Sequence, residues 1–146
     1  MVTALGVLVA AAAFSGGGRA IAEQESSALS NLQVSRASLD NGLRVVMNQD
    51  HTVPTVAISV YYDVGSRNEV KGRSGFAHLF EHMMFQGSAN VGKGEHFSLI
   101  INRGGSANGT TSNDRTNYFE TLPANELALG LWLEADRMRS LAITQE

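Results

Sequence analysis

The chain has 146 residues, which is long enough for one domain with a hydrophobic core. Hydrophobic residues make up 43% of the sequence and charged residues 17%, a composition that excludes wholesale disorder. The net charge of -3 argues against nucleic acid as the main partner. Because the chain has no cysteine, thiolate metal sites, thiol nucleophiles and disulfides are excluded, and a metal site would have to use His, Asp or Glu.

Residues 1–22 are typical of an export signal peptide. The uncharged apolar run VTALGVLVAAAAF precedes Ala20-Ile21-Ala22, which fits the small-x-small pattern of a cleavage site after Ala22. The run is too short for a stable membrane span, so we expect an exported protein, periplasmic or secreted. No Lys or Arg precedes the run, and the alternative is the Ala-rich N-terminus of a cytoplasmic protein. Residues 23–33 are polar and predict a linker to one domain over residues 34–146.

The first half of this domain predicts two strands and two helices. Asn41-Gly42 is a turn signal before a strand in LRVVMNQD, and alternating apolar residues in TVAISVYYDVG predict a second strand after Pro54. Ser74 is a candidate N-cap for a helix that runs through the region of Phe85 and ends at Gly87. A second helix is predicted over GEHFSLIINRGG.

The second half predicts two strands and a helix. SANGTTSN and DRTNYFETLP are strand-like and meet at the turn signal Asn113-Asp114. In ANELALGLWLEADRMRSL, helical spacing of Leu127, Leu131 and Ala135 predicts an amphipathic helix that packs this face on a sheet. The order β-β-α-α-β-β-α, with strands in hairpin-like pairs, predicts an α+β fold in which helices cover one face of a largely antiparallel sheet.

The stretch SGFAHLFEHMMFQGS carries the chain's most specific motif. At about 100° per residue, His78, Glu81 and His82 fall within one arc about 100° wide on the helix. The apolar residues fall on the opposite side, and we expect them to anchor the helix in the core: Phe76, Leu79, Phe80, Met83 and Met84.

This spacing has a chemical reason. Two His at positions i and i+4 point the same way and can both bind one Zn²⁺ through ring nitrogens. A Glu beside them can take a proton from water that the metal activates. His-x-x-Glu-His is the inverted order of the zinc-peptidase motif HExxH. The alternative is a solvated polar face, which the scarcity of His, four in the chain, disfavours.

Several motifs in the same order give the chain a family resemblance. GSRNEVKGRSGFAHLFEHMMFQGS, GGSANGTTSNDRTNYFETLP and LWLEADRM resemble the M16 metallopeptidases, which include pitrilysin, insulin-degrading enzyme and mitochondrial processing peptidase. The resemblance runs from about Val34 to the end. It implies a LuxS/MPP-like α+β metallohydrolase fold, peptide-bond hydrolysis, His78 and His82 as zinc ligands, and Glu81 as general base.

The resemblance also implies a substrate-binding strand. The strand around Asn108 matches the family's edge strand, where an extended peptide adds to the sheet with Asn108 near the scissile bond. The residue composition alone, rich in Gly, Ser and Thr, suits an edge strand that pairs with a peptide, although an ordinary hairpin is the alternative. Phe85 lies beside the trio on the helical wheel and would either line the site or pack in the core.

The family's third zinc ligand is a Glu on a later helix, which we expect beyond Glu146. The spacing supports none of the carboxylates present as a substitute, and we expect His51 and His96 to be structural or exposed. We therefore predict an N-terminal portion that is inactive alone, with a peptide or protein substrate and a second M16-type half or subunit as partners. The alternatives are a non-catalytic partner subunit and a metal-free peptide-binding module.

Overall fold

The computed structural model describes residues 4–7 and 33–144. Within these ranges six strands and three α-helices follow one another along the chain, with short 3-10 turns at Ser66–Asn68 and Ala124–Glu126. The elements in order are β1 (Ala4–Val7), β2 (Val34–Ser38), β3 (Arg44–Asn48), β4 (Thr55–Tyr62), α1 (Phe76–Met83), α2 (Glu95–Ile101), β5 (Ser106–Thr111), β6 (Thr116–Pro123) and α3 (Leu127–Ser140).

The strands form one sheet in the order β2-β3-β1-β4-β6-β5. Strand β1 pairs with β3 in parallel, and every other described pairing is antiparallel. The predicted α+β fold with a largely antiparallel sheet is therefore confirmed. Among the described strands β5 lies at one edge and pairs only with β6, so on its outer side no described strand is paired with it.

The predicted order of the elements from β3 to α3 is confirmed, but two strands were not predicted. All five residues of β2 are exposed, so this strand carries no burial pattern that a sequence could show. Strand β1 consists of four residues of the predicted signal peptide and lies between β3 and β4. The rest of the predicted signal peptide and nearly all of the predicted linker lie outside the described residues.

The core lies between the sheet and the helices. On adjacent strands Ile58 faces Glu120 and Val60 faces Tyr118, and all four side chains are buried. The alternation predicted for β4 therefore places its apolar face under the helices. Further buried residues complete the core around α2 and α3: Val91, Ile100, Leu122 and Leu133. None of the described helices has the length and apolar character needed to cross a bilayer.

Helix α1 begins and ends at residues other than those predicted. Its N-cap is Gly75, at φ 91°, rather than Ser74. The side chain of Glu69 accepts hydrogen bonds from the backbone N–H of Gly75 (3.0 Å) and of Ala77 (2.8 Å), so a carboxylate from the preceding loop satisfies donors that a capping Ser would have taken. The helix ends at Met83, before Phe85.

The predicted buried faces of α1 and α3 were both wrong. Phe76, Leu79 and Phe80 on α1 are about half exposed, at 46%, 49% and 51%. On α3, Leu127 and Leu131 are exposed as well. The buried residues of the two helices are mostly small or polar, with Leu133 as the large apolar exception: Ala77, Glu81, Gly130, Leu133, Glu134, Asp136 and Arg137. Periodicity separates two faces of a helix, but it does not show which face the sheet covers.

Candidate metal centre

Helix α1 brings the two predicted zinc ligands together. The Nε2 atoms of His78 and His82 lie 3.1 Å apart, and the two ring centroids are 4.7 Å apart. Two nitrogens about 2.0–2.1 Å from one tetrahedral zinc ion would be separated by about 3.3 Å. Both imidazoles are exposed and accessible to an ion from solution. The chain's own geometry therefore fits two of the ligands of a zinc site.

The carboxylate of Glu81 is held against strand β5. The hydroxyl of Thr111 donates a hydrogen bond to Oε2 of Glu81, while the hydroxyl of Thr116 donates to the backbone oxygen of Val64 at 2.9 Å. The Thr116 hydroxyl already donates its proton to Val64, and an ionised carboxylate can only accept. The Thr111 hydroxyl is therefore the donor to Glu81. Glu81 is only 7% exposed, so its side chain has little freedom to leave this position.

Gly109 makes room for Glu81. A Cβ atom at position 109 would lie 3.2 Å from Cγ of Glu81 and 3.2 Å from Cδ1 of Tyr118. These distances are tight for carbon contacts, so a larger side chain at this position would move the carboxylate. The close approach of strand and helix explains why this buried position of β5 carries glycine.

A pocket of about 440 Å³ adjoins His78 and Glu81. It lies between the loop that precedes α1 and the β5–β6 turn, and its other lining residues are Ser66, Glu69, Gly75, Gly109, Thr110, Thr111, Ser112 and Asn113. Backbone hydrogen bonds join the two walls: the N–H of Ser66 donates to the oxygen of Ser112 at 3.1 Å, and that of Arg67 donates to Asn113 at 2.8 Å.

We expect Gly65→Ala to destabilise the chain by about 1–3 kcal/mol, because overpacking costs this much where neighbours cannot move apart. An added Cβ would overlap the backbone oxygen of Ser112 and lie 2.7 Å from the carbonyl carbon of Asn113. Urea denaturation measures the change. Gly92→Ala is the control, because its Cβ would meet only the flexible end of Glu95, at 3.0 Å. Equal losses for the two variants would contradict the close approach at Gly65.

The two residues predicted to bind substrate lie in different surroundings. Asn108 is exposed on the edge strand β5, and its Oδ1 accepts a hydrogen bond from the N–H of Gly109 at 2.8 Å. Phe85 is buried, and its ring stacks on Phe97 with centroids 4.5 Å apart. Of the two alternatives for Phe85, the structure shows core packing, and Phe85 does not line the pocket.

A second polar cluster, which the sequence did not reveal, lies in the core. His96, Glu120 and Glu134 come from α2, β6 and α3, and all three are buried. Burial, with a smaller effect of Arg137, lowers the pKa of His96 to about 4. Burial, reinforced by the charge of Glu134, raises the pKa of Glu120 to about 8, while Arg137 opposes the rise. The prediction that His96 is structural or exposed did not anticipate this cluster.

The carboxylates of Glu120, Glu134 and Asp136 do not join His78 and His82 in a group of three possible ligands. Among the described residues, the group that could hold a metal through three side chains is the His96 cluster, which contains Glu120 and Glu134. Asp136 is engaged elsewhere: Ser88 and Asn90 donate hydrogen bonds to its carboxylate, which lowers its pKa. A third ligand for the histidine pair is therefore absent from the part of the chain that the structure describes.

Comparison with known proteins identifies the family. The family described as Insulinase (Peptidase family M16) matches residues 44–145. The chain belongs to the M16 peptidase family. Zinc protease PqqE of Helicobacter pylori is 37% identical to this M16 chain over 110 residues, which are 75% of the chain and 25% of that protein. The beta subunit of the mitochondrial-processing peptidase of Blastocladiella emersonii is 33% identical over 108 residues, which are 74% and 23%.

Solved structures show the same fold. A protease from Helicobacter pylori superposes on 78% of the M16 chain and 27% of its own, with a TM-score of 0.75 and 37% identity. Pitrilysin superposes on 79% of the chain and 12% of its own, with a TM-score of 0.74 and 25% identity. The chain thus spans about a quarter of the length of these curated relatives, and the Helicobacter pylori protein and a relative from Bacillus subtilis are named zinc proteases.

Proposed function

We propose that this M16 chain is the N-terminal, metal-binding portion of a zinc endopeptidase. In this proposal His78 and His82 are zinc ligands, Glu81 is the general base, and the third ligand is a Glu outside the described residues. The observation that carries the proposal is the 3.1 Å separation of the two Nε2 atoms on the helix that also carries Glu81. The family match and the zinc proteases among the relatives support it.

The chain's own residues supply proton transfer and orientation. When bound, zinc supplies a Lewis acid that acidifies water and polarises a peptide carbonyl. Glu81 takes a proton from the attacking water and returns it to the departing amine, a role for which one carboxylate oxygen must stay free. The Thr111 hydroxyl occupies only Oε2, so Oε1 remains for this role. Burial of Glu81 keeps the carboxylate in one orientation while it gains and loses the proton.

The substrate in this proposal is an extended peptide bound at the edge of the sheet. Strand β5 lies at the sheet edge, its Thr111 hydroxyl donates to the carboxylate of Glu81, and its Gly109 lies close to the same side chain. A peptide that adds to β5 through main-chain hydrogen bonds would run past Asn108 and Gly109 toward the histidine pair. The adjoining pocket would then receive a side chain of the peptide.

One observation favours a second candidate, a non-catalytic subunit. The described residues hold two zinc ligands and no third, and one M16 relative is named as a subunit. In this alternative the chain would contribute its sheet edge to a peptide site shared with another M16 chain or half. The intact trio of His78, Glu81 and His82 favours the peptidase over this candidate.

A chimaera tests the peptidase proposal. The chain is joined to the residues that follow the matched segment in the Helicobacter pylori zinc protease, and cleavage of an unstructured peptide is measured with and without zinc. We expect zinc-dependent cleavage that falls about 10²–10⁴-fold in Glu81→Gln, because general acid–base catalysis contributes about this much. Glu126→Gln is the control, since that carboxylate pairs with Arg103 rather than facing the trio. The 146-residue chain alone should show no cleavage.

Two results would contradict the proposal. Cleavage that survives Glu81→Gln at full rate would exclude Glu81 as the base. A folded chimaera that binds zinc stoichiometrically but cleaves no peptide would favour the non-catalytic subunit instead.

A further inference from the structure

The buried cluster of His96, Glu120 and Glu134 contains polar atoms that the protein leaves unpaired. The side chain of His96 is 4% exposed, that of Glu120 is 1% and that of Glu134 is 3%. Nε2 of His96 and both carboxylate oxygens of Glu120 have no hydrogen-bond partner among the described residues. Nε2 of His96 and Oε2 of Glu120 approach only to 3.8 Å, which is too long for a hydrogen bond.

Three of the unpaired atoms, on His96 and Glu120, are possible acceptors, and they require an explanation because Nη1 of Arg137, which is also unpaired, makes no hydrogen bond to them. A buried polar group without a partner costs about 1–3 kcal/mol, and a charged group costs more. Folded proteins therefore rarely leave such groups unsatisfied unless an ion or water completes the site. A neutral imidazole nitrogen and the two oxygens of a deprotonated Glu120 offer lone pairs, so a shared divalent cation that displaces the proton of Glu120 would satisfy all three atoms.

The geometry is close to that of a coordination site. One ligand atom from each of the three side chains lies within 4.8 Å of the other two. Three such atoms share a central point at most about 2.8 Å from each, so a shift of less than about 1 Å per side chain reaches the 2.0–2.2 Å of zinc ligands. One imidazole with two carboxylates favours a divalent transition metal, since Ca²⁺ and Mg²⁺ prefer oxygen ligands throughout.

We propose that His96, Glu120 and Glu134 form a second, structural site for a divalent transition-metal ion, made of residues other than the histidine pair on α1. The ion would join helix α2, strand β6 and helix α3 in the core. Glu134 would share its carboxylate between the ion and Arg137, with which it already pairs. The remaining positive charge of Arg137 lies over the rings of Tyr118, at 4.2 Å, and Phe85, at 5.2 Å, which stabilise it.

The experiment uses the full chain with the exposed site removed. A His78→Ala/His82→Ala variant is unfolded and refolded with Zn²⁺ or Co²⁺, passed over a desalting column, and analysed for bound metal. We expect about one equivalent of zinc, visible cobalt bands typical of nitrogen and oxygen ligands, and a higher Tm than that of the chain refolded with chelator. Adding Glu120→Gln, which preserves shape, should lower the retained zinc at least tenfold.

The same experiment can overturn the proposal. Retention of less than a tenth of an equivalent by a chain whose circular dichroism shows native folding would exclude the site. Retention that is unchanged by Glu120→Gln and by His96→Gln would place the metal elsewhere. If a core variant fails to fold, the cobalt spectrum and the metal-dependent Tm of the His78→Ala/His82→Ala parent decide the question, because neither measurement needs that variant.

Discussion

Arg137→Met should destabilise the chain by about 3–5 kcal/mol, the cost of leaving one member of a buried ion pair uncompensated. The Arg137 side chain is 3% exposed, and its Nε donates to Oε2 of Glu134 at 3.0 Å while Nη2 donates to the other oxygen. Methionine roughly preserves the length of the side chain but leaves the charge of Glu134 without a partner in the core. Urea denaturation followed by circular dichroism measures the loss.

The matched control for this prediction lies two residues further along the same helix. Arg139 is exposed, so Arg139→Met should change the free energy of unfolding by no more than about 0.5 kcal/mol. Arg137→Lys, which keeps the charge but loses the two-point contact, should fall between the two. The double variant Arg137→Met/Glu134→Leu should be more stable than Arg137→Met alone, because it removes the stranded charge. Equal losses at positions 137 and 139 would show that the pair contributes nothing.

The histidine pair was predictable because its geometry is local. Positions i and i+4 of any helix lie one turn apart, so His78 and His82 meet wherever α1 packs. The strand β4 was predictable for a similar reason, since alternation along eight residues fixes its two faces. The turn at Asn41-Gly42 also depends on nearby residues alone, and Gly42 adopts φ 86° there.

What the sequence did not show depends on contacts between distant segments. Nothing in the spacing of Glu120 and Glu134 along the chain indicates that both lie close to His96 in the core. The face that α1 turns to the sheet was likewise not predictable, because it depends on Gly109, about 30 residues further along, making room for Glu81. The capping contact of Glu69, six residues before the N-cap Gly75, is a third example of a contact that no local pattern predicts.

Both helices therefore carry an apolar stripe on the side away from the sheet. On α1 the stripe is Phe76, Leu79 and Phe80, and on α3 it includes Leu131 and Trp132, each 44–51% exposed. Contiguous exposed apolar surface of this kind marks a place where further protein packs. The relatives named above are about three times as long as this chain, which matches one segment of each.

The exchangeable zinc of the 146-residue chain should bind through His78 and His82, and weakly. In this chain two protein ligands would hold the ion, whereas the complete site that we propose has three. The bound zinc should therefore exchange fast and be removed by a mild chelator. His78→Ala or His82→Ala should reduce its affinity at least tenfold, because each removes half of the coordinating nitrogens. Isothermal titration with Zn²⁺ measures the change.

His51→Ala is the matched control, since that histidine is exposed and lies at the start of the loop before β4. It should leave the titration unchanged. A Glu81→Gln chain should also bind zinc as the unaltered chain does, because Thr111 and strand β5, rather than the ion, hold that side chain. Loss of zinc binding in Glu81→Gln would show that Glu81 is a ligand instead of a base. Unchanged zinc binding in both His78→Ala and His82→Ala would show that the metal does not bind to this helix. An open coordination position beside a general base is what distinguishes a catalytic zinc site from a structural one.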